Sequence, residues 1–275
     1  MSKSFQIKKW GDHPIGHVPV VNVAPGGRLI ERREIPLLVA FAEGVPAGLS
    51  GIVATSDLQA YDSNERPPFA RRLAGLVVAE TLAELSVAGE IPPLSEMLAL
   101  LPGDYYAVPT LDRRGGLGDV REVWDAFQRR FAQTLGVAGN HDAFGAKTEM
   151  KGAIPDSWAA QLLDGTSVDV EGLVVGGVSG VIGKKSRPWR HSKKKLGKKL
   201  VKALREADIL LLHEGPNIPG TRLRGSWDVR DALLKHGLEP TTVFCGHRNW
   251  PRPCEALGPH TIVNVDSRVV VILPV

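Results

Sequence analysis

Only two cysteines, Cys245 and Cys254, occur in 275 residues, so no disulfide framework is available and reduced thiols in a cytoplasmic protein are the expectation. Met1 to His13 has charges but no apolar core of the kind a secretory signal needs. No run is long enough to cross a bilayer: the stretch Ile35 to Ala54 is broken by Glu43, Pro36 and Pro46. An excess of one charge sign is also lacking, since 34 Lys and Arg against 30 Asp and Glu leave a net value of only +4, which excludes a uniformly basic or acidic chain. The Gly-rich stretch Gly176 to Gly183 lacks the Lys-Ser/Thr ending of a nucleotide phosphate loop and is read as close backbone packing in a sheet. What remains is an ordinary globular composition, 43% hydrophobic and 23% charged, of a length that suits one α/β domain spanning 1–275.

Against that plain background, five short apolar runs each end in a residue with ligand chemistry. Gly51 to Ser56 leads into Asp57-Leu58-Gln59, and Met97 to Leu101 leads through Pro102 into Gly103-Asp104. Val137-Ala138 leads into Gly139-Asn140-His141-Asp142, Asp208 to Leu212 stops at His213, and Thr242 to Cys245 stops at Gly246-His247-Arg248-Asn249. Short apolar runs bounded by Gly, Pro or charge read as strands buried on both faces. Strands that end together in an α/β sheet form a crevice at their carboxyl edges. Asp57, Asp104, Asn140, His213 and His247 would then meet there, and their oxygen and imidazole donors suit first-row divalent metals. Taken alone, Gly-Asn-His-Asp is equally a tight turn; the other four segments favour the ligand reading.

This order of segments resembles the calcineurin-like metallophosphoesterase family, whose pattern is Asp-x-His, Gly-Asp, Gly-Asn-His-(Asp/Glu), a lone His and Gly-His-x-His. The likeness runs from about Gly51 to the end of the chain, and Gly139 to Asp142 is its most specific part. It implies a four-layer sandwich of two mixed β-sheets flanked by helices. It also implies a metal-activated water that attacks a phosphomonoester or phosphodiester. Carried over by position, Asp104 bridges two metals while Asn140, His213 and His247 hold one of them. His141 becomes the proton donor to the leaving group, and Asp142 holds an imidazole in orientation.

Two positions depart from the family pattern. Gln59 stands in place of the His of Asp-x-His, and Asn249 in place of the second His of Gly-His-x-His. Both fall on the metal otherwise held by Asp57 and Asp104. Amide oxygens in place of imidazoles favour harder ions such as Mg, Ca or Mn, so one firm and one weaker site are expected, with Mn, Fe, Mg or Zn as candidate ions. Because Gln and Asn still coordinate, catalysis is preferred over a non-catalytic scaffold of the same fold. Arg248 is read either as a bidentate phosphate clamp or as a solvent-facing side chain.

Elsewhere the patterns are coarser. Residues 1–50 read as a strand-rich extension, with Val18 to Val23 and Leu37 to Ala42 separated by the turn signal Pro25-Gly26-Gly27 and forming a hairpin. Helical spacing predicts helices over Phe69 to Ala88, Val120 to Leu135, Ser192 to Glu206 and Ser226 to His236, and Leu111 to Gly118 reads as a loop near the site mouth. Leu173 to Val178, Thr261 to Asp266 and Arg268 to Leu273 read as strands. Ten Lys and Arg side chains crowd Lys184 to Lys202. They are either a nucleic-acid track with Trp189 stacking on a base, which would make the chain a nuclease, or the solvated face of a helix whose Leu196, Leu200, Val201 and Leu204 turn inward. Tyr105, Tyr106, Phe144 and Trp250 lie beside proposed ligands and are substrate wall or core. His13, His17, His191, His236 and His260 are not expected to bind metal. The expected partners are a small phosphoester or a nucleic-acid substrate, without a membrane.

Overall fold

The computed structural model describes residues 5–24, 29–63, 71–113, 115–145, 154–155, 157–184 and 187–275. The first half runs β1 (Gln6–Trp10), β2 (Gly16–Val23), β3 (Ile30–Glu43), β4 (Gly51–Ser56), β5 (Tyr61–Asp62), α1 (Ala74–Val87), β6 (Met97–Leu101), β7 (Gly118–Asp119), α2 (Arg121–Gln128), β8 (Gln133–Gly136) and β9 (Asp142–Ala143). The second half runs β10 (Ala160–Leu162), β11 (Thr166–Val170), β12 (Leu173–Val178), β13 (Val181–Ile182), β14 (Arg190–His191), α3 (Lys193–Leu204), β15 (Ile209–Glu214), α4 (Trp227–His236), β16 (Thr242–Gly246), β17 (Cys254–Leu257), β18 (His260–Asn264) and β19 (Arg268–Pro274).

Two mixed sheets carry the fold. The larger is ordered β10-β8-β6-β4-β19-β3-β2-β5 with β1 added beside β3, and the smaller is ordered β11-β12-β15-β16-β18-β17. In the first, β4, β6, β8 and β10 are mutually parallel; in the second, β12, β15, β16 and β18 are. All six residues of β4 and all five of β6 are buried, which is what a parallel strand covered on both faces requires.

Three apolar cores define four layers. Between the sheets lie Ile52, Leu98, Leu135 and Val270 from the larger and Val175, Ile209, Phe244 and Val263 from the smaller. The outer face of the larger sheet packs on α1 and α2 through Val78, Leu82, Val123, Trp124 and Phe127, and that of the smaller on α3 and α4 through Leu196, Leu200, Val229 and Leu233. Each such side chain contributes about 1.5–3 kcal/mol when fully buried. The chain is therefore the α/β four-layer sandwich that the family resemblance implies.

Several local expectations change. The helix read over Val120 to Leu135 ends at Gln128, and Gln133–Gly136 is the strand β8, paired in parallel with β6 and β10. Helical spacing of the apolar residues hid that strand, and tertiary pairing decides its conformation. The hairpin partner of β2 is the first half of β3, from Ile30 to Leu37, whereas Leu37 to Ala42 pairs with β19 and β1. Its turn at Pro25-Gly26-Gly27, the start of the helix read from Phe69, and Lys185 lie outside the described residues. β1, β2 and β3 belong to the larger sheet, with β3 paired in parallel to β19, rather than forming an appendage to it. The strand into His213 continues through Glu214, and β17 was not anticipated. Ser192 and Ser226 cap α3 and α4, accepting from the Lys195 and Val229 amides at 3.3 Å. On α3, Leu196, Leu200 and Leu204 are buried and most of the lysines point outward; Val201 is only half-buried. No helix among the described residues is long and apolar enough to cross a membrane.

Candidate metal centre

The carboxyl ends of β4, β6, β8, β15, β16 and β18 meet where the two sheets close on each other. Backbone hydrogen bonds tie the loops together there: Asp57 N–H donates to Gly103 O (2.9 Å), Ser267 N–H to Ser56 O (3.0 Å) and Val265 N–H to Cys245 O (2.8 Å). Asp57, Asp104 and His247 all sit at positive φ, at 55°, 63° and 66°, so three residues with ligand chemistry share a sparsely populated backbone state. Two glycines make the close approach possible. A side chain at Gly139 would collide with Asp104 Oδ1, and one at Gly246 with Asp57 Oδ2, which is why both motifs begin with glycine.

Asp104 is the hub. Its Oδ1 accepts from the His141 amide (2.8 Å), and its Oδ2 lies 3.2 Å from His213 Nε2, 3.3 Å from Gln59 Nε2 and 4.0 Å from His141 Nε2. Burial alone would raise its pKa, but His213 facing it, with help from His141, carries it down to about 2. Burial opposes charge on His213 as well. The Asp104 carboxylate and the Pro102 carbonyl, 2.9 Å from Nδ1, outweigh it and carry His213 up to about 10. His247, its ring 5.1 Å from that of His213, goes the other way: burial, then the neighbouring His213, lower it to about 3. Ligand atoms of Asp104, His213 and His247 all lie within 4.8 Å of one another, a group that could hold a metal ion.

A second set of oxygens adjoins this one. Asp57 Oδ2 accepts from Ser56 Oγ (2.8 Å) and from the His247 amide (2.9 Å), and burial together with the nearby Asp266 raises its pKa well above the usual carboxylate value. Asn249 Nδ2 donates to the Asp266 carbonyl (2.9 Å) and approaches its Oδ1 (3.4 Å). Asp266 is a site residue that the sequence reading passed over as a strand end. The same logic of an apolar strand ending in a carboxylate would have found it.

Asp57, Gln59, Asp104, His141, His247 and Asn249 line one cavity of about 630 Å³, together with Arg248, Gly115 and Asp266. Arg222 and Arg224, from the loop between β15 and α4, line it too, and no motif announced them. His141 has its Nδ1 against the N–H (3.1 Å) and the carbonyl of Gly116, in the predicted loop at the site mouth, and its Nε2 toward Asp104.

No family model matches the chain, and no curated protein does. Among solved structures, the crystal structure of TT1561 of Thermus thermophilus is similar, with a TM-score of 0.48, 18% sequence identity, and coverage of 79% of this chain and 91% of that one.

The residues themselves fit a divalent cation. Asn140 Oδ1 is buried without a hydrogen-bond partner among the described residues, although buried polar atoms are normally satisfied, and the buried His213 Nε2 has only the Asp104 carboxylate opposite it at 3.2 Å. An oxygen and an imidazole nitrogen left in this way, beside an ionised carboxylate, are the donors a metal takes. The resemblance implied that Asp142 orients an imidazole; among the described residues it meets backbone amides instead. Its carboxylate accepts from the amides of Gly139, Asp104 and Tyr105, each at 2.8 Å, and so binds two site loops to each other. Burial, then the nearby Asp104, raises its pKa to about 6 against those three donors.

Trp189 is buried rather than free to stack on a base: its indole N–H donates to the Asp142 carbonyl (3.0 Å) and its ring meets Phe144 edge-on. Tyr105, Phe144 and Trp250 are core, with the Tyr105 hydroxyl donating to the Thr55 carbonyl (2.6 Å), and Tyr106 is half-buried. His260 begins β18, buried against α4. Both cysteines are free thiols.

Proposed function

We propose that this chain is a metal-dependent phosphoester hydrolase. The observation that carries the reading is the cluster of Asp104, His213 and His247 at the shared carboxyl edge of two sheets, opening into a cavity rimmed by arginines. Asn140, His213 and His247 with Asp104 would hold one divalent cation. Asp57, Gln59 and Asn249, sharing Asp104 and joined by Asp266, would hold a second, harder one. Bound there, such cations supply a Lewis acid and lower the pKa of water toward neutrality.

The chain does the rest. Asp104, fixed by the His141 amide, keeps its charge across the physiological range and sets the spacing of both donor groups. His141, which lines the cavity with Nδ1 held at Gly116 and Nε2 turned toward Asp104, is placed to give a proton to the departing oxygen. Arg248 is placed to clamp a phosphoryl oxygen pair. The substrate is proposed to be a small phosphoester. A nuclease reading asks Trp189 to stack on a base, and that ring is committed to the core.

The test is hydrolysis of a nitrophenyl phosphomonoester and the matching diester with Mn, Mg, Ni and Zn supplied separately, after chelation. Turnover restored by one metal and abolished by Asp104→Asn supports the reading. A protein that binds none of these ions and turns over neither ester is a scaffold instead.

A further inference from the structure

Three guanidinium groups, from Arg222, Arg224 and Arg248, share the cavity with the proposed metal ligands. All three residues are exposed, whereas Asp104, which lines the same cavity, is buried. A single phosphoryl group engaged at the base gives one arginine a role. It leaves the other two unexplained.

The backbone that carries these arginines is firmly built. Pro216 and Ser226 form a bridge across the base of the loop, Ile218 and Leu223 are buried, and the Ile218 amide donates to the Leu223 carbonyl (3.1 Å). The buried indole of Trp250 donates to the Arg224 carbonyl (2.8 Å), and Asn264 Nδ2 donates to the Arg248 carbonyl (2.9 Å). One tryptophan, two residues beyond Arg248, thus locks the loop of Arg224 onto the segment of Arg248. Pre-ordered backbone lowers the cost of ordering on binding, and guanidinium forks match the oxygens of a phosphate in pairs. At about 630 Å³ the cavity falls in the range that takes a whole small molecule rather than one phosphoryl group.

Resting on the hydrolase reading, we propose that the preferred substrate is a small molecule with two phosphates, one cleaved at the base of the cavity with Arg248 beside it and the other held at the rim by Arg222 and Arg224. The reaction expected is hydrolysis of the first ester bond: water supplies the oxygen to phosphorus and the proton to the leaving alcohol, which departs still carrying the second phosphate.

The experiment compares an alkanediol bisphosphate with the alkyl monophosphate of equal length, using the metal-loaded full chain. Calorimetry with the uncleavable bisphosphonate and monophosphonate reads binding separately from turnover. The bisphosphate is expected to be favoured about tenfold or more in kcat/KM, through KM, because hydrogen bonds to charged groups discriminate by that order. That ratio, and the matching affinity ratio for the phosphonates, should fall toward one in Arg222→Ala/Arg224→Ala and shrink as salt is raised. Equal kcat/KM for both esters overturns the proposal and leaves the hydrolase reading standing. Absence of turnover of either ester sinks the hydrolase reading, and equal phosphonate affinities then sink this one independently. Tighter binding of a single-stranded oligonucleotide than of the bisphosphonate overturns it in favour of a nucleic-acid substrate.

Discussion

Asp104 and His213 face each other across 3.2 Å between Oδ2 and Nε2, both buried, with His213 Nδ1 anchored on the carbonyl of Pro102 two residues before the aspartate. In the metal-free protein this is an ion pair, His213 holding its proton up to about pH 10 and Asp104 staying charged down to about 2. The two signs differ. The raised His213 contributes stability that is complete below its ordinary value of 6.5 and is lost as pH climbs toward 10. The lowered Asp104 contributes stability that is complete above 3.8 and is lost as pH falls toward 2. A metal needs the neutral imidazole, so loading near pH 8 is expected to release a proton from His213, and apparent affinity should rise about tenfold per pH unit while that proton competes. Calorimetry in two buffers of different ionisation enthalpy reads the release. Heats that do not depend on the buffer would remove His213 from the ligand set.

Two glycines with opposite surroundings separate folding from site geometry. Gly197 lies inside α3 with nothing within 4 Å of the position a side chain would take, so Gly197→Ala should raise stability by about 0.5–1 kcal/mol through helix propensity. Gly139→Ala drives a methyl into Asp104 and should cost about 1–3 kcal/mol, as overpacking does, and weaken metal retention with it. Thermal melts with and without metal distinguish them. A Gly139→Ala protein that melts and loads like the wild type would contradict the close approach.

The arrangement of the sheets was largely readable because buried parallel strands announce themselves: β4, β6, β12 and β16 start and stop within a residue of the apolar runs that mark them. β8 was not, since Phe127, Phe131 and Leu135 sit at helical spacing and only pairing with β6 and β10 makes Gln133–Gly136 extended. The cavity gathers Asp57, Gln59, Asp104, His141, His247, Arg248 and Asn249 because each ends or follows a strand. Arg222 and Arg224 escaped notice because loop residues carry no periodicity; their positions depend on a hydrogen bond from Trp250, 26 residues beyond Arg224. Asp142 was found by motif, but its work on three amides needs coordinates to see.

Trp189 offers a separate check on the discarded stacking role. Trp189→Phe keeps most of the ring volume but leaves the Asp142 carbonyl without its indole donor, which should cost about 1–3 kcal/mol for a buried acceptor. The expected result is a lower melting temperature with oligonucleotide affinity unchanged. Loss of oligonucleotide binding with stability intact would restore the stacking role.

His141 is placed for proton donation rather than for holding the hub, since it meets Asp104 Oδ1 through its backbone amide, which His141→Ala retains. His141→Ala is expected to slow a poor alkoxide leaving group about a hundredfold or more and an activated nitrophenyl ester far less, because general acid catalysis contributes mainly where the leaving group needs the proton. Equal slowing on both esters would assign His141 to positioning instead.

Gln59 and Asn249 set the expected metal preference. Gln59 turns its amide nitrogen to Asp104 Oδ2 and Asn249 turns its own to the Asp266 carbonyl, so both side chains already reach the neighbourhood of Asp57. Rotation of either amide presents an oxygen where the nitrogen now lies. A set made of Asp57, Asp104 and two amide oxygens is all oxygen, which favours Mg or Mn and holds Zn weakly, whereas His213 and His247 supply nitrogen to the other group. The wild-type chain should therefore retain about one zinc ion after gel filtration and take a second ion only when Mn or Mg is supplied in excess. Gln59→His/Asn249→His adds two imidazoles at the same positions and should raise retained zinc to about two per chain, read by elemental analysis. Two tightly held zinc ions in the wild type, or no gain in the double variant, would show that these amides do not govern the second site.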